Sequence, residues 1–167
     1  SSEPQLGVEL FFTVPKPYFA ASNGRLVQTQ DQGEKLRYNW KTDYPINNYN
    51  IVPYIGAYSN WKDSYPSNSG KQLDLSYWVI DYNIEKATPQ FNKDTKRMLA
   101  AFEYWFGPYP FQEDGFKLVE SPHLGMEHQS AIAYGNGFGN GYRGRDLSGT
   151  GWGKDWDYII IHESGHE

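Results

Sequence analysis

Apolar and polar residues alternate over short stretches through the first half of the chain, a pattern that predicts β-strands. The stretch GVELFFTVPKPYFAASNGRLV contains one such strand, a proline-rich break, a turn at Asn23-Gly24 and a second strand. Further strands are predicted in EKLRYNWKTDYP, in YNIVPYIGAYSNW, where Pro53 favours an edge or a bulge, and in LDLSYWVIDYN. Residues 1–82 therefore indicate the end of an all-β domain.

The hydrophobic spacing changes after Asn83, where we place a domain boundary. A helix with one buried face is predicted at about 92–106 from apolar residues at helical spacing, which are Met98, Leu99, Phe102, Trp105 and Phe106. Gly107-Pro108 would end this helix. Two more strands are predicted in FKLVES and SAIAYG, so that residues 83–167 indicate an α+β domain.

A glycine-rich stretch runs from Gly135 to Gly153. It lacks the G-K-[ST] sequence of a phosphate-binding loop, and no helix starts directly after it. We interpret it as an irregular surface loop, or alternatively as a flexible wall beside a cleft. The final stretch, KDWDYIIIHESGHE, predicts a helix at about 155–167 with Asp155 or Asp157 near its start.

Composition narrows the classes of function. The formal net charge is −5 and there is no basic block, so nucleic-acid binding is not expected. There is no cysteine, so a metal site would use histidine and carboxylate ligands. No apolar run approaches the roughly 20 residues of a membrane span. Because the chain opens with SSEPQLG and stops at Glu167, we expect a piece of a larger protein.

A His-Glu-x-x-His motif stands at the end of the chain and consists of His162, Glu163 and His166. On a helix the two histidines lie at positions i and i+4 on one face, where their imidazoles can bind one zinc ion. Glu163 can take a proton from a water activated by zinc and pass it to a leaving amine. The alternative is a polar, solvent-facing helix turn, but the apolar DYIII directs this helix into a core and favours metal chemistry.

The motif supplies two of the three protein ligands that a catalytic zinc usually has. Glu167 is a poor third ligand because it adjoins His166 and points about 100° round the helix. His123 and His128 are candidates without support from their spacing. We therefore expect the third ligand to lie beyond the chain end.

A second feature lies upstream, at Gly125-Met126-Glu127-His128. Taken alone, Glu127 would be a solvated carboxylate on a sheet edge. Together with a His-Glu-x-x-His motif about 35 residues later, the sequence resembles the zinc aminopeptidases of the aminopeptidase N and leukotriene hydrolase family, which are gluzincin metallopeptidases. The stretches VPKPYFAASNGRLV and FEYWFGPYPFQEDGFKLVE are similar to stretches of the same family, in the same order.

The resemblance implies a mixed β and α+β fold. Residues 1–82 would be the C-terminal part of an N-terminal β-sandwich domain, and residues 83–167 the first half of a thermolysin-like zinc peptidase domain. His162 and His166 would hold one zinc ion, with Glu163 as the general base. The family's third ligand, its oxyanion-stabilising tyrosine and its helical C-terminal domain are absent from this chain. We therefore expect this piece alone to be inactive.

The resemblance also implies peptide substrates with a free N-terminus. Glu127 would bind the free α-amino group by a charge-assisted hydrogen bond. The backbone of Gly125 and Met126 would lie along the substrate like an added strand. The family often has asparagine where His128 stands, and this departure affects the details of amine recognition.

Two alternatives follow from the same motifs. A non-catalytic relative would keep the fold as a scaffold or binding module. A zinc endopeptidase would share the His-Glu-x-x-His motif without needing Glu127 as an amine anchor, and would cut blocked peptides as well as free ones. The richness in tyrosine, asparagine and glycine with no cysteine favours an exported or periplasmic bacterial protein.

Overall fold

The computed structural model describes residues 6–167, and the elements below are those of this part of the chain. The first five strands, β1 to β5, are Glu9–Pro15, Phe19–Ala21, Arg25–Asp31, Lys35–Lys41 and Tyr54–Gly56. The next five, β6 to β10, are Tyr58–Pro66, Gln72–Ile80, Phe116–Glu120, Gly125–Met126 and Ile132–Tyr134. Two α-helices, α1 and α2, are Ile84–Phe106 and Tyr158–Ser164, and short 3₁₀-helices occur at Asn48–Asn50, Asp81–Asn83 and Trp152–Lys154. The first five residues of the predicted domain 1–82 lie outside the described part.

Two small antiparallel sheets form the N-terminal part. Strands β1, β4 and β3 pair in that order, and β2 pairs with β5. The predicted turn at Asn23-Gly24 is confirmed between β2 and β3, where Gly24 has a φ of +74° that favours glycine. The single strand predicted around Pro53 is wrong, because Pro53 cannot donate to a ladder and pairing begins only after it, as β5 and then β6.

A mixed five-stranded sheet forms the second part, in the order β6-β7-β8-β10-β9. Neighbours β7 and β8 are parallel, as are β8 and β10, whereas the two outer pairs are antiparallel. The strands predicted in FKLVES and SAIAYG are confirmed as β8 and β10. Helix α1 is the crossover that a parallel β7–β8 pair requires.

This sheet crosses the boundary that the sequence predicts near Asn83. Strands β6 and β7 precede that boundary, yet β7 pairs with β8 beyond it. The division into a domain of 1–82 and a domain of 83–167 stays a prediction, and the hydrogen bonding places its boundary inside one sheet. A division ahead of β6 would leave the sheet intact.

Helix α1 is longer than predicted. It begins at Ile84, about eight residues before the expected start near 92, and ends before Gly107 as predicted. Ala87 and Phe91, four residues apart, are both fully buried. Their packing therefore extends the buried face through the first turns of the helix. Pro89 lies in these turns, although proline disfavours the interior of a helix.

Helix α2 is shorter than predicted. It covers seven residues instead of the expected range of about 155–167, because Asp157 caps its N-terminal end and Gly165 its C-terminal end. His166, predicted to lie on the same helix as His162, is therefore in the turn that follows α2. Of the two aspartates predicted near its start, Asp157 is the N-cap. The glycine-rich stretch before it contains no strand or α-helix, and the prediction of an irregular loop is confirmed.

A hydrophobic core lies between the five-stranded sheet and the two α-helices. Its fully buried side chains include Tyr77, Phe91, Leu118, Ile132, Tyr134 and Ile160. Burying each large apolar side chain contributes about 1.5–3 kcal/mol, so this layer dominates the stability of the second part. The predicted fold class, mixed β and α+β, is confirmed. Neither α-helix of residues 6–167 has the length and hydrophobicity of a membrane span.

Candidate metal centre

The sequence of α2 fixes its orientation. Ile159 and Ile160 are buried in the core, whereas His162 on α2 and His166 in the turn after it are exposed. The side chain of Asp157 accepts a 3.2 Å hydrogen bond from the Ile159 amide and caps the first turn. The apolar run therefore anchors the helix and leaves both histidines facing outwards.

The two histidines approach each other through the same ring atom. Their Nε2 atoms are 3.4 Å apart, and the planes of the rings are almost perpendicular at 87°. Two nitrogens at about 2.0–2.1 Å from one tetrahedral zinc ion would be separated by about 3.3 Å. His162 and His166 therefore have the spacing of two zinc ligands.

Glu163 completes the group of potential ligands. Within residues 6–167, His162, Glu163 and His166 form the one such group of three, with ligand atoms all within 4.8 Å of one another. His123 is exposed and His128 is half-buried, with its ring edge-on to Tyr54 at 6.3 Å, and neither belongs to the group. The two imidazoles are donors that fit zinc, and the carboxylate of Glu163 lies beside them.

The carboxylate of Glu163, on α2, packs against strand β9. Burial raises its pKa, His162 lowers it, Glu127 raises it and His166 lowers it. A β-carbon placed on Gly125 would lie 2.4 Å from Oε1 of Glu163, so the backbone of β9 directly contacts this carboxylate. A carboxyl group whose pKa is raised towards the operating pH is suited to proton transfer.

The segment with Glu127 follows β9, the edge strand of the sheet. Gly125–Met126 forms that strand, and the side chain of Glu127 is half-buried beside it. The buried side chain of Asn23 donates a 2.7 Å hydrogen bond to the main-chain oxygen of Gln129. The N-terminal strands therefore hold this segment in place next to α2.

Glu167 points away from the two histidines. Its Oε2 accepts a 2.7 Å hydrogen bond from the hydroxyl of Tyr109, and its Oε1 accepts one from the amide of Ser130. Burial raises the pKa of Glu167 to about 7. Glu167 therefore supports the Glu127 segment and lies outside the group of ligands.

Asp157 connects the start of α2 to the rest of the core. It is fully buried and accepts hydrogen bonds from the side chains of Gln90, Tyr134 and Asn136. Its own amide donates to the buried carboxylate of Asp94. A buried carboxylate with this number of donors is a strong anchor for the helix that carries His162.

Sequence reasoning did not single out Tyr158 or the partners of Asp157. Tyr158 lies four residues before His162, the same spacing as the histidine pair, and its ring stacks on that histidine. This spacing could have revealed it. The partners of Asp157 are 21 to 67 residues distant along the chain, and no local pattern identifies them.

No family model and no curated protein matches this chain. Its structure is similar to an M1 zinc metallopeptidase from Deinococcus radiodurans, with a TM-score of 0.72 and 17% identity over 95% of this chain and 32% of that one. It is also similar to a mutant M1 zinc metallopeptidase from Deinococcus radiodurans bound to a Tyr-Ser-Ala substrate. That comparison has a TM-score of 0.66 and 18% identity over 76% of this chain and 29% of that one. A third similar structure is Legionella pneumophila aminopeptidase A in complex with aspartic acid, with a TM-score of 0.66 and 17% identity over 75% of this chain and 15% of that one.

The chain spans less than a third of the length of each of these proteins. At identities of 17% and 18%, the likeness establishes the fold alone. The chain therefore has the fold found in part of the M1 zinc metallopeptidases.

Proposed function

We propose that this chain is the metal-binding and amine-binding part of a zinc-dependent aminopeptidase. The observation that carries the proposal is the 3.4 Å approach of the Nε2 atoms of His162 and His166 beside the buried Glu163. That approach matches two ligands of one zinc ion. The fold shared with M1 zinc metallopeptidases supports the same assignment.

His162 and His166 would hold the zinc ion through Nε2. When bound, zinc polarises a peptide carbonyl and lowers the pKa of a water, which supplies a nucleophile at neutral pH. Glu163 would accept a proton from the attacking water and pass it to the leaving amine. The backbone of Gly125 lies against this carboxylate and restricts where it can sit.

Glu127 would provide the selectivity for a free N-terminus. Glu127 directly follows the edge strand β9, and its carboxylate lies close enough to Glu163 to raise the pKa of that residue. An α-ammonium group bound at Glu127 would place the first peptide bond of the substrate near Glu163. Solved relatives bound to a Tyr-Ser-Ala substrate and to aspartic acid support substrates of this class.

The test is hydrolysis by the full-length protein of one peptide with a free N-terminus and of its acetylated twin. Each peptide is offered with and without a chelator. Cleavage of the free peptide alone, abolished by the chelator, is the expected result. Cleavage of both peptides would instead indicate an endopeptidase, and cleavage of neither by the zinc-loaded protein would indicate a scaffold or binding module.

A further inference from the structure

The ring of Tyr158 lies against the imidazole of His162. The two ring centroids are 5.2 Å apart, and the ring planes differ by 16°. Because the residues are four apart, α2 itself places both side chains on one face. The phenolic oxygen of Tyr158 is also 3.4 Å from Nδ1 of His162. One tyrosine therefore lies beside this imidazole with its ring nearly parallel and its hydroxyl near one nitrogen.

The two nitrogens of His162 face different partners. Nε2 faces Nε2 of His166, whereas Nδ1 faces the hydroxyl of Tyr158. A histidine that binds a metal through one nitrogen usually donates the proton on its other nitrogen to a fixed acceptor, which sets the tautomer and the ring orientation. The hydroxyl of Tyr158 is 3.4 Å from this second nitrogen, and a phenolic oxygen can accept.

We propose that Tyr158 is a positioning residue for the metal ligand His162, and that Tyr142 holds Tyr158 in place. The proposal rests on the proposed function, because it requires His162 to bind zinc. Tyr142 meets the Tyr158 ring edge to face, with centroids 5.6 Å apart and planes at 88°. The Tyr158 ring is therefore in contact with a second aromatic ring that does not belong to α2.

Tyr142 can act as a support because its backbone is fixed to the start of α2. The preceding Gly141 donates a 2.7 Å hydrogen bond to the oxygen of Trp156, and its own oxygen accepts a 2.8 Å bond from the side chain of Asn136. Gly141 has a φ of +71°, and a β-carbon there would lie 2.6 Å from the oxygen of Arg145, so the position requires glycine. This part of the glycine-rich stretch is thus a rigid support for Tyr158.

The experiment measures zinc affinity of the full-length protein by competition with a chelator of known affinity. Tyr158→Phe keeps the stacked ring and removes the acceptor, and Tyr158→Leu removes both. We expect Tyr158→Leu to weaken zinc binding by at least about 10-fold and Tyr158→Phe by less, as for other residues that support metal ligands. The exposed Tyr104 offers matched controls, Tyr104→Phe and Tyr104→Leu, which should bind zinc like the wild type.

Absorption of the cobalt-substituted protein gives a second readout, because the visible bands of Co²⁺ report the orientation of its ligands. Wild-type zinc affinity and wild-type cobalt spectra in both Tyr158 variants would overturn the proposal. If Tyr158→Leu does not fold, as judged by circular dichroism, Tyr142→Leu takes its place, because it frees the Tyr158 ring without changing α2. Absence of zinc binding by the folded wild type would refute the proposed function itself, and that result is distinct from the others.

Discussion

The carboxylate of Glu163 and the backbone of Gly125 are in direct contact, although 38 residues separate them along the chain. A β-carbon on Gly125 would lie 2.4 Å from Oε1, 2.8 Å from Cδ and 2.8 Å from Cγ of Glu163. The φ of Gly125 does not require glycine, so the need for glycine arises from this contact alone. The edge strand and the proposed general base therefore constrain each other.

Gly125→Ala should displace the Glu163 carboxylate while leaving the fold intact, because the clash involves the movable end of a side chain. We expect kcat to fall by at least about 10-fold with little change in zinc affinity, since a small misplacement of a catalytic group is costly. Gly139→Ala is the control, because nothing lies within 4 Å of a β-carbon there. Equal kcat values for the two variants would disprove the constraint.

Glu163→Gln should abolish hydrolysis and preserve zinc binding. The amide has nearly the same shape as the carboxylate but cannot accept the proton of the attacking water. General acid–base groups contribute about 10²–10⁴-fold to rate, and we expect a loss of kcat in that range. Zinc content is measured in parallel, and a variant that retains substantial activity would exclude Glu163 as the general base.

Glu127→Gln should remove the preference for a free N-terminus. The neutral amide loses the charge-assisted bond to an α-ammonium group, so kcat/KM for the free peptide should fall towards that for the acetylated peptide. The exposed Glu85 provides a control of equal charge change, Glu85→Gln. An unchanged ratio of kcat/KM for the two peptides would assign amine recognition to another residue.

Asp157→Ala should destabilise the protein strongly. The substitution removes the cap of α2 and leaves the buried donors of Gln90, Tyr134 and Asn136 without their shared acceptor. The combined cost should be about 3 kcal/mol or more in the free energy of unfolding. Asp155→Ala, at an exposed position two residues earlier, should change it by less than about 0.5 kcal/mol in the same denaturant titration.

Stability should depend on pH through Lys117, which is 3% exposed. Its Nζ donates to the main-chain oxygens of Gly24 and Ser130 and lies 4.8 Å from the centre of the Trp40 ring. Burial lowers the pKa of Lys117 from 10.5 to about 7, although Glu167 and Asp114 act in the opposite direction.

The direction of this pH dependence follows from the number of protons bound in the folded and unfolded states. Between about pH 7 and 10 the unfolded chain keeps the lysine proton while the folded protein has lost it, so the Lys117 contribution to stability rises with pH in this window. The free energy of unfolding is measured across the window for the wild type, Lys117→Met and the exposed control Lys93→Met. Only Lys117→Met should lack this rise of the free energy of unfolding with pH. A rise in Lys117→Met equal to that of the wild type would contradict the prediction.

Local patterns predicted most of the secondary structure and the pairing of the histidines. Alternation identifies strands because successive side chains point to opposite faces. The separation of four brings His162 close to His166 as predicted, although His166 lies in the turn after α2 and not on the helix. The same reasoning missed the first turns of α1, where the packing of Phe91 extends the helix. The pairing of β7 with β8 across the predicted boundary near Asn83 likewise leaves no local signal in the sequence.

The supports of the candidate site could not be predicted in the same way. Contacts such as Gly125 with Glu163 and Asn136 with Asp157 join residues that are distant along the chain. They depend on the order of strands in the sheet and on the path of the glycine-rich stretch. The resemblance to a known family suggested Gly125 and Glu127, but it gave no indication of what each one touches.

The hydrogen bond from Asn23 to Gln129 joins positions 106 residues apart and bears on how such proteins can be recombined. A chimaera that takes its N-terminal strands from one protein and its histidine helix from another must reproduce this buried bond across the junction. A foreign turn without the asparagine would leave a main-chain oxygen unpaired beside the Glu127 segment. We therefore expect the two segments to be inherited together, as one unit of exchange.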